Sequence, residues 1–115
     1  MINYFLKHKF DAIFHLASLF IAEHDSNQID DLLKSNIIFG THILEAMKYG
    51  NVKNMVNIGT YWQHYKNEEY NPVCLYAASK EAFEKIIEFY IQVENIKVIT
   101  LKLYDIYGIN DKRKK

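Results

Sequence analysis

The chain has 115 residues, half of them apolar, and its fourteen Lys and Arg balance fourteen Asp and Glu to a formal net charge of zero. That apolar content suffices for the core of one modest domain and excludes a disordered chain. The neutral balance argues against nucleic-acid binding, which usually shows a basic excess. A single cysteine, Cys74, excludes an internal disulfide and a cysteine-pair metal site, and suits a reducing cytoplasm. The five histidines show no His-x-x-x-His spacing, so no metal site is expected.

Near the start, Lys7, His8 and Lys9 precede an apolar run from Ala12 to Ala22. The order resembles a secretory signal, but Asp11 and His15 interrupt it and no small-x-small cleavage site follows. The run is too short to span a bilayer, so no membrane association is expected. Residues 12–17 read instead as a compact apolar strand covered on both faces. Asp25, Ser26 and Asn27 offer helix caps. Ile29, Leu32, Leu33, Ile37, Gly40, Leu44 and Met47 then keep helical spacing, which predicts a helix over 27–49. Tyr49-Gly50 should stop it, with glycine in the left-handed conformation.

A second strand is expected over 54–59, ending at Gly59-Thr60, followed by a polar loop from Gln63 to Asn71. Pro72 stands before a helix over 73–93, whose apolar stripe is Phe83, Ile86, Ile87, Tyr90 and Ile91. The third strand covers 97–103. The basic tail Lys112-Arg113-Lys114-Lys115 reads as a solvated terminus.

Strands alternating with long helices mean parallel pairing through right-handed crossovers. The fold class is therefore α/β, half of a doubly wound parallel sheet, with the middle strand central and both helices on one face. Ligands of such sheets bind beyond the carboxyl ends of the strands. Those ends carry Ala17-Ser18, Gly59-Thr60 and Tyr104-Asp105.

Tyr76 and Lys80 stand four residues apart near the start of a helix, on one face. Phenol has an unperturbed pKa of about 10, and a nearby ammonium favours the phenolate. Lowering it by about three units takes on the order of 4 kcal/mol. Thr60 could hold a substrate oxygen while Tyr76 gives or takes its proton. Hydride transfer from a nicotinamide is the natural partner of that proton transfer.

The order of these pieces resembles the extended short-chain dehydrogenase/reductase family, also called the NAD-dependent epimerase/dehydratase family. The matching segments are Asp11-Ala-Ile-Phe-His-Leu-Ala-Ser18, then Asn36 with Leu44-Glu45-Ala46, Asn57-Ile-Gly-Thr60, Tyr76-Ala-Ala-Ser-Lys80, and Leu101-Lys-Leu-Tyr-Asp-Ile-Tyr-Gly108. The resemblance implies a three-layer Rossmann-like fold, with these strands as its fourth, fifth and sixth, and NAD or NADP as cofactor. It implies Thr60, Tyr76 and Lys80 as catalytic residues. Ala17, Ser18, Tyr76 and Lys80 would contact the cofactor, and Thr60 and Asp105 the nucleotide-sugar substrate. It also implies a cytoplasmic enzyme and a homodimer through the helices at 27–49 and 73–93. Ser35-Asn-Ile-Ile-Phe-Gly-Thr41, Thr60-Tyr-Trp-Gln-His-Tyr65 and Tyr104-Asp-Ile-Tyr-Gly108 are similar to the CDP-abequose and CDP-paratose synthase branch, which reduces a 4-keto sugar in surface-polysaccharide synthesis.

The departures are informative. Gly40 and Thr41 follow Asn36 at four and five residues, where many members have three and four, while Glu45 keeps the family offset. Asn36 therefore reads as a packing residue, and His15 as a strand residue bonded to backbone. Tyr61-Trp62 follow Thr60 where the family's dehydratases carry Asp-Glu, which disfavours dehydration. The four glycines form no glycine-rich loop to approach a pyrophosphate. Residues 1–115 are thus expected to be one partial NAD(P)-binding domain. It would lack the amino-terminal glycine-rich βαβ unit and the carboxy-terminal substrate region, and would be inactive alone. A non-catalytic remnant or interaction module is the alternative.

Overall fold

The computed structural model describes residues 1–113. Its elements in chain order are α1 (Ile2–Lys7), β1 (Ile13–His15), α2 (Ile29–Leu33), α3 (Phe39–Gly50), β2 (Asn54–Thr60), α4 (Leu75–Glu94) and β3 (Lys97–Leu103). The three strands form one parallel sheet in the order β1-β2-β3. The expected topology and the central place of β2 are both observed. β2 pairs with β3 along seven residues, from Asn54↔Lys97 to Thr60↔Leu103. β1 pairs only from Ile13↔Met55 to His15↔Asn57, so it is shorter than the 12–17 expected.

The core lies between one sheet face and the helices. Met55 of β2 packs with Ile43, Leu44 and Met47 of α3 and Phe83, Ile87 and Tyr90 of α4, with Ile13 and Val98 at the margin. Alternation puts Phe14, Ile99 and Leu101 on the opposite face, where all three are exposed. The described helices all lie on one face of the sheet, and among the described residues none covers the other. The apolar run of β1 suggests cover on both faces, yet Phe14 is 69% exposed and Leu16 65%. Only Ile13 and His15 of β1 turn toward the helices.

The long helix at 27–49 is built in pieces. Asp25 N–H donates to Gln28 Oε1 at 2.8 Å, closing a short 3₁₀ turn before α2. Between α2 and α3 the chain makes a π turn, Lys34–Ile38. A π turn holds more residues than an α turn, which gives room for the extra residue between Asn36 and Gly40. Gly40 then meets α4 closely. A Cβ there would lie 2.6 Å from Phe83 Cε2 and 3.0 Å from His15 Nε2.

One helix boundary corrects the sequence reading. Gly50 is the last residue of α3, and Asn51 takes the left-handed conformation (φ 55°). Asn95 ends α4 in the same way (φ 55°). Asparagine tolerates that region, so glycine is not needed there. Gly50 has another use: a Cβ would stand 2.9 Å from Phe5 Cβ and 3.1 Å from Phe5 O. Phe5 belongs to α1, a helix that no periodic pattern announces, which packs on α3 and buries Phe5 beside Phe10. No described helix is long and apolar enough to cross a membrane.

Candidate active site

A cleft of about 300 Å³ opens beyond the carboxyl ends of the strands. Ser18 and Phe20 line it from the loop after β1, Thr60 and Trp62 from the end of β2, Tyr76 and Lys80 from α4, and Asp105 from the segment after β3. A larger groove of about 660 Å³ runs between Glu68–Tyr70 and the outer face of α4, away from the strand ends.

Thr60 is fixed because β2 ends there and the chain turns at once into a 3₁₀ segment, Tyr61–Gln63. Its Oγ1 accepts from the N–H of Trp62 at 3.2 Å, and its own N–H donates to Gln63 Oε1 at 2.9 Å. The Thr60 hydroxyl proton remains a donor. Tyr76 lies in the first turn of α4, after Cys74 at the N-cap. The Ser18 side chain stands near enough to act on the Tyr76 phenol, and the Phe20 ring meets it edge-on at 5.0 Å. Phe20 in turn meets Trp62 edge-on at 5.5 Å. The two rings make an apolar wall beside the phenol. Tyr61 stacks on Tyr104 at 4.1 Å and 23°, joining the segments that follow β2 and β3 and so placing Asp105.

Lys80 lies one helical turn beyond Tyr76 and is buried. Its ammonium donates to Ile58 O at 2.9 Å and lies 5.8 Å from the centre of the Tyr76 ring. Burial lowers the Lys80 pKa, against the opposing charge of Glu84. Burial likewise raises the Tyr76 pKa; the Ser18 side chain opposes this and the Cys74 thiol adds to it. The depression expected from Lys80 is absent: its ammonium is bonded to Ile58 O, and the loss of water around the phenol sets the direction of the shift.

The structure thus brings Ser18, Thr60, Tyr76, Lys80 and Asp105 into one cleft. Ala17 is exposed at the end of β1 and is not among the lining residues. Asn36 serves as a packing residue. Its Oδ1 accepts from Leu19 N at 2.7 Å, and its Nδ2 donates to Leu19 O and to Ser79 Oγ, both at 3.0 Å. It therefore pins the Ser18–Phe20 loop to the helix that carries Tyr76. His15 is buried on the helix side, edge-on to Phe83 at 5.3 Å. Burial first, and the Lys80 charge second, lower its pKa to about 4.

Phe20 escapes sequence reasoning, because one aromatic residue in an irregular loop has no periodicity to reveal it. Arg113 stands in a tail that reads as solvated, yet it lines the cleft and pairs with Asp111 at 2.6 Å and Ile106 O at 2.8 Å. Lys114 and Lys115 lie outside the described residues.

An open parallel sheet with a cleft at its strand ends defines a Rossmann-like protein. The sequence profile of the NAD dependent epimerase/dehydratase family matches residues 1–115, and the chain belongs to that family. No curated protein matches it. Among solved structures it is similar to UDP-glucose 4-epimerase from Thermotoga maritima with UDP-glucose (TM-score 0.84, 23% identity, 93% of this chain and 38% of that one). It is also similar to UDP-glucuronic acid 4-epimerase from Bacillus cereus with NAD (0.78, 20%, 94% and 36%). A third is UDP-N-acetylglucosamine 4-epimerase from the same organism (0.79, 24%, 97% and 45%). The chain therefore spans less than half the length of these proteins.

Proposed function

We propose that this chain is the catalytic half of an NAD(P)-dependent sugar-nucleotide oxidoreductase acting at a 4-keto or 4-hydroxyl carbon. The observation that carries the reading is the meeting of Thr60, Tyr76 and Lys80 in one cleft at the strand ends. The residues suit the nicotinamide-ribose end of the cofactor. An ammonium has three N–H donors, and Ile58 O accepts one of those on Lys80. The others match a pair of ribose hydroxyls. When bound, NAD or NADP supplies or accepts the hydride.

Tyr76 is the acid in the reducing direction. As hydride reaches the carbonyl carbon, the phenol passes its proton to the carbonyl oxygen and is left as phenolate, which solvent reprotonates. The Thr60 hydroxyl donates a hydrogen bond to the same oxygen, keeps its own proton, and holds the oxygen beside Tyr76. Lys80 offers the charge that steadies the phenolate. Ser18 lines the cleft beside the phenol. Phe20 and Trp62 keep water from one side of the phenol. Asp105 binds the sugar nucleotide.

Reduction is favoured over dehydration, because Tyr61 and Trp62 follow Thr60 where elimination would need a carboxyl pair. Residues 35–41, 60–65 and 104–108 resemble the CDP-abequose and CDP-paratose branch, so a CDP-linked 4-keto deoxy sugar in surface-polysaccharide synthesis is the substrate proposed. Thr60 and Asp105 are the contacts proposed to the nucleotide sugar, and no residue here is assigned to the cofactor pyrophosphate. The assembly proposed is a cytoplasmic homodimer through α2–α3 and α4. The other reading, a remnant without turnover, gains support from the uncovered sheet face at Phe14, Ile99 and Leu101.

The test is isotopic. A 4-keto nucleotide sugar and 4-deuterated NADPH are given to the enzyme containing this chain. Deuterium should appear at sugar C4 with one equivalent of cofactor oxidised. Exchange between 4-epimers without net oxidation would move the reading to epimerisation. Neither outcome, with the fold intact, would favour the remnant.

A further inference from the structure

Gln63 is fully buried, although the polar loop it begins is otherwise solvated. Every polar atom of its side chain is engaged. Oε1 accepts from the Thr60 N–H at 2.9 Å, and Nε2 donates to Glu81 Oε2 at 2.6 Å and to Glu84 Oε2. The chain makes room for this. A Cβ on Gly59 would stand 2.9 Å from Gln63 Oε1. Any side chain at Gly59 would push the amide away from Thr60.

The carboxylates are held in turn from β3. Lys102 Nζ lies 3.1 Å from Glu84 and 3.8 Å from Glu81, and donates to His64 Nε2 at 2.6 Å. With Nε2 accepting, His64 carries its proton on Nδ1, which donates to Glu69 O at 2.6 Å. Tyr76, Lys80 and Glu84 follow one another at four-residue intervals along α4, and so share a face. The network therefore ties the backbone of Thr60 to the face of the helix that presents Tyr76.

We propose that Gln63 is a positioning residue, whose amide clamps Thr60 to α4 through Glu81 and Glu84 and so sets the Thr60 hydroxyl against the Tyr76 phenol. It touches neither substrate nor cofactor. The inference rests on the reading of Thr60 as the hydroxyl that holds the substrate oxygen. The carboxylates suit the task because an amide–carboxylate bond is stronger than one between neutral groups, and the partly buried setting strengthens it further. Glu81 and Glu84 both stand in that setting, at 19% and 18% side-chain exposure.

The test reads Thr60 directly and needs no turnover. In this chain the Thr60 amide should exchange slowly with solvent, and its methyl couplings should report one χ1 rotamer. Gln63→Met keeps the length and removes the hydrogen bonds. It should speed Thr60 exchange at least tenfold and average the rotamer, while Asn57 and Ile58 amides in the same strand keep their rates. The exchange Gln63→Glu with Glu81→Gln and Glu84→Gln keeps an acceptor for Thr60 and reverses both amide–carboxylate pairs, so it should restore slow exchange and the single rotamer. If Gln63→Met does not fold, Glu84→Met at a partly exposed position weakens the clamp from its other end and should speed Thr60 exchange severalfold. Thr60 unchanged in both single variants would overturn the proposal. So would a triple variant as loose as Gln63→Met. Failure of the functional reading is distinguished by turnover: an enzyme unaffected by Thr60→Ala would remove the catalytic role while leaving the exchange results as they are.

Discussion

The Lys80 ammonium donates to the carbonyl oxygen of Ile58 at 2.9 Å rather than to the Tyr76 phenol. The cation is anchored to the backbone of β2, so its distance from the phenol is set by the sheet. Burial dominates at Tyr76 and raises its pKa. Tyr76 in this chain should therefore titrate above the usual value of about 10 for phenol. A raised folded pKa stabilises the fold below the unfolded value, and that contribution is lost as pH rises through the folded one. Carbon-13 shifts of labelled tyrosine Cζ will report it. Ionisation of Tyr76 below that usual value would mean that the Lys80 charge outweighs burial at the phenol.

His15 predicts the acid limb of stability. Its folded pKa is lowered to about 4 from 6.5, so the neutral ring is the folded form. With a depressed folded value, stability is full above the unfolded pKa and is lost as pH falls toward the folded one. Between pH 7 and pH 5 the loss from this group should be about 2 kcal/mol. Urea unfolding of the wild type and His15→Leu at the two pH values isolates this contribution. The variant should show the smaller pH dependence.

Gly40 predicts an overpacking cost. A methyl group there collides with the Phe83 ring and crowds His15. Gly40→Ala should destabilise the chain by about 1–3 kcal/mol, despite alanine's better helix propensity. Gly40→Ala with Phe83→Leu should recover part of the loss. Denaturant midpoints at constant m-value would measure both. A stabilised Gly40→Ala would show that the π turn can yield and move α3 from α4.

Much of this is legible in the sequence, for particular reasons. β2 and β3 are apolar and β-branched and end in recognisable residues, so strands and order follow. Tyr76 and Lys80 are readable because one helix fixes their spacing. The π turn around Asn36 is visible only as a glycine one place late. The Phe20–Tyr76 contact and the Gln63 network join loops to helices across 56 and 18 residues or more, and neither period nor propensity reports such meetings. Asn51 and Asn95 end helices where glycine is the usual signal, because asparagine's short polar side chain also tolerates positive φ.

Cofactor binding separates what this chain holds from what the rest of a family member would hold. Residues 1–115 carry no glycine-rich turn for a pyrophosphate. Calorimetric titration of the chain with NADH and NADPH should give no binding, or binding weaker than about 1 mM, near −4 kcal/mol. Micromolar affinity would mean that the Lys80 cleft holds the cofactor without that turn.

The most direct measurement joins a glycine-rich strand–turn–helix unit and a substrate region from a family member to this chain, by fusion or in trans. NAD(P)H oxidation is then followed with a 4-keto nucleotide sugar. Correct positioning can be worth roughly 7–11 kcal/mol, so the assembled protein should turn over where the chain alone does not. Tyr76→Phe should lower kcat by on the order of 10²–10⁴-fold, the usual size of a general-acid contribution, with the fold unchanged. Full turnover by the Tyr76→Phe assembly would contradict the assignment of Tyr76 as the acid, because the proton would then come from another group.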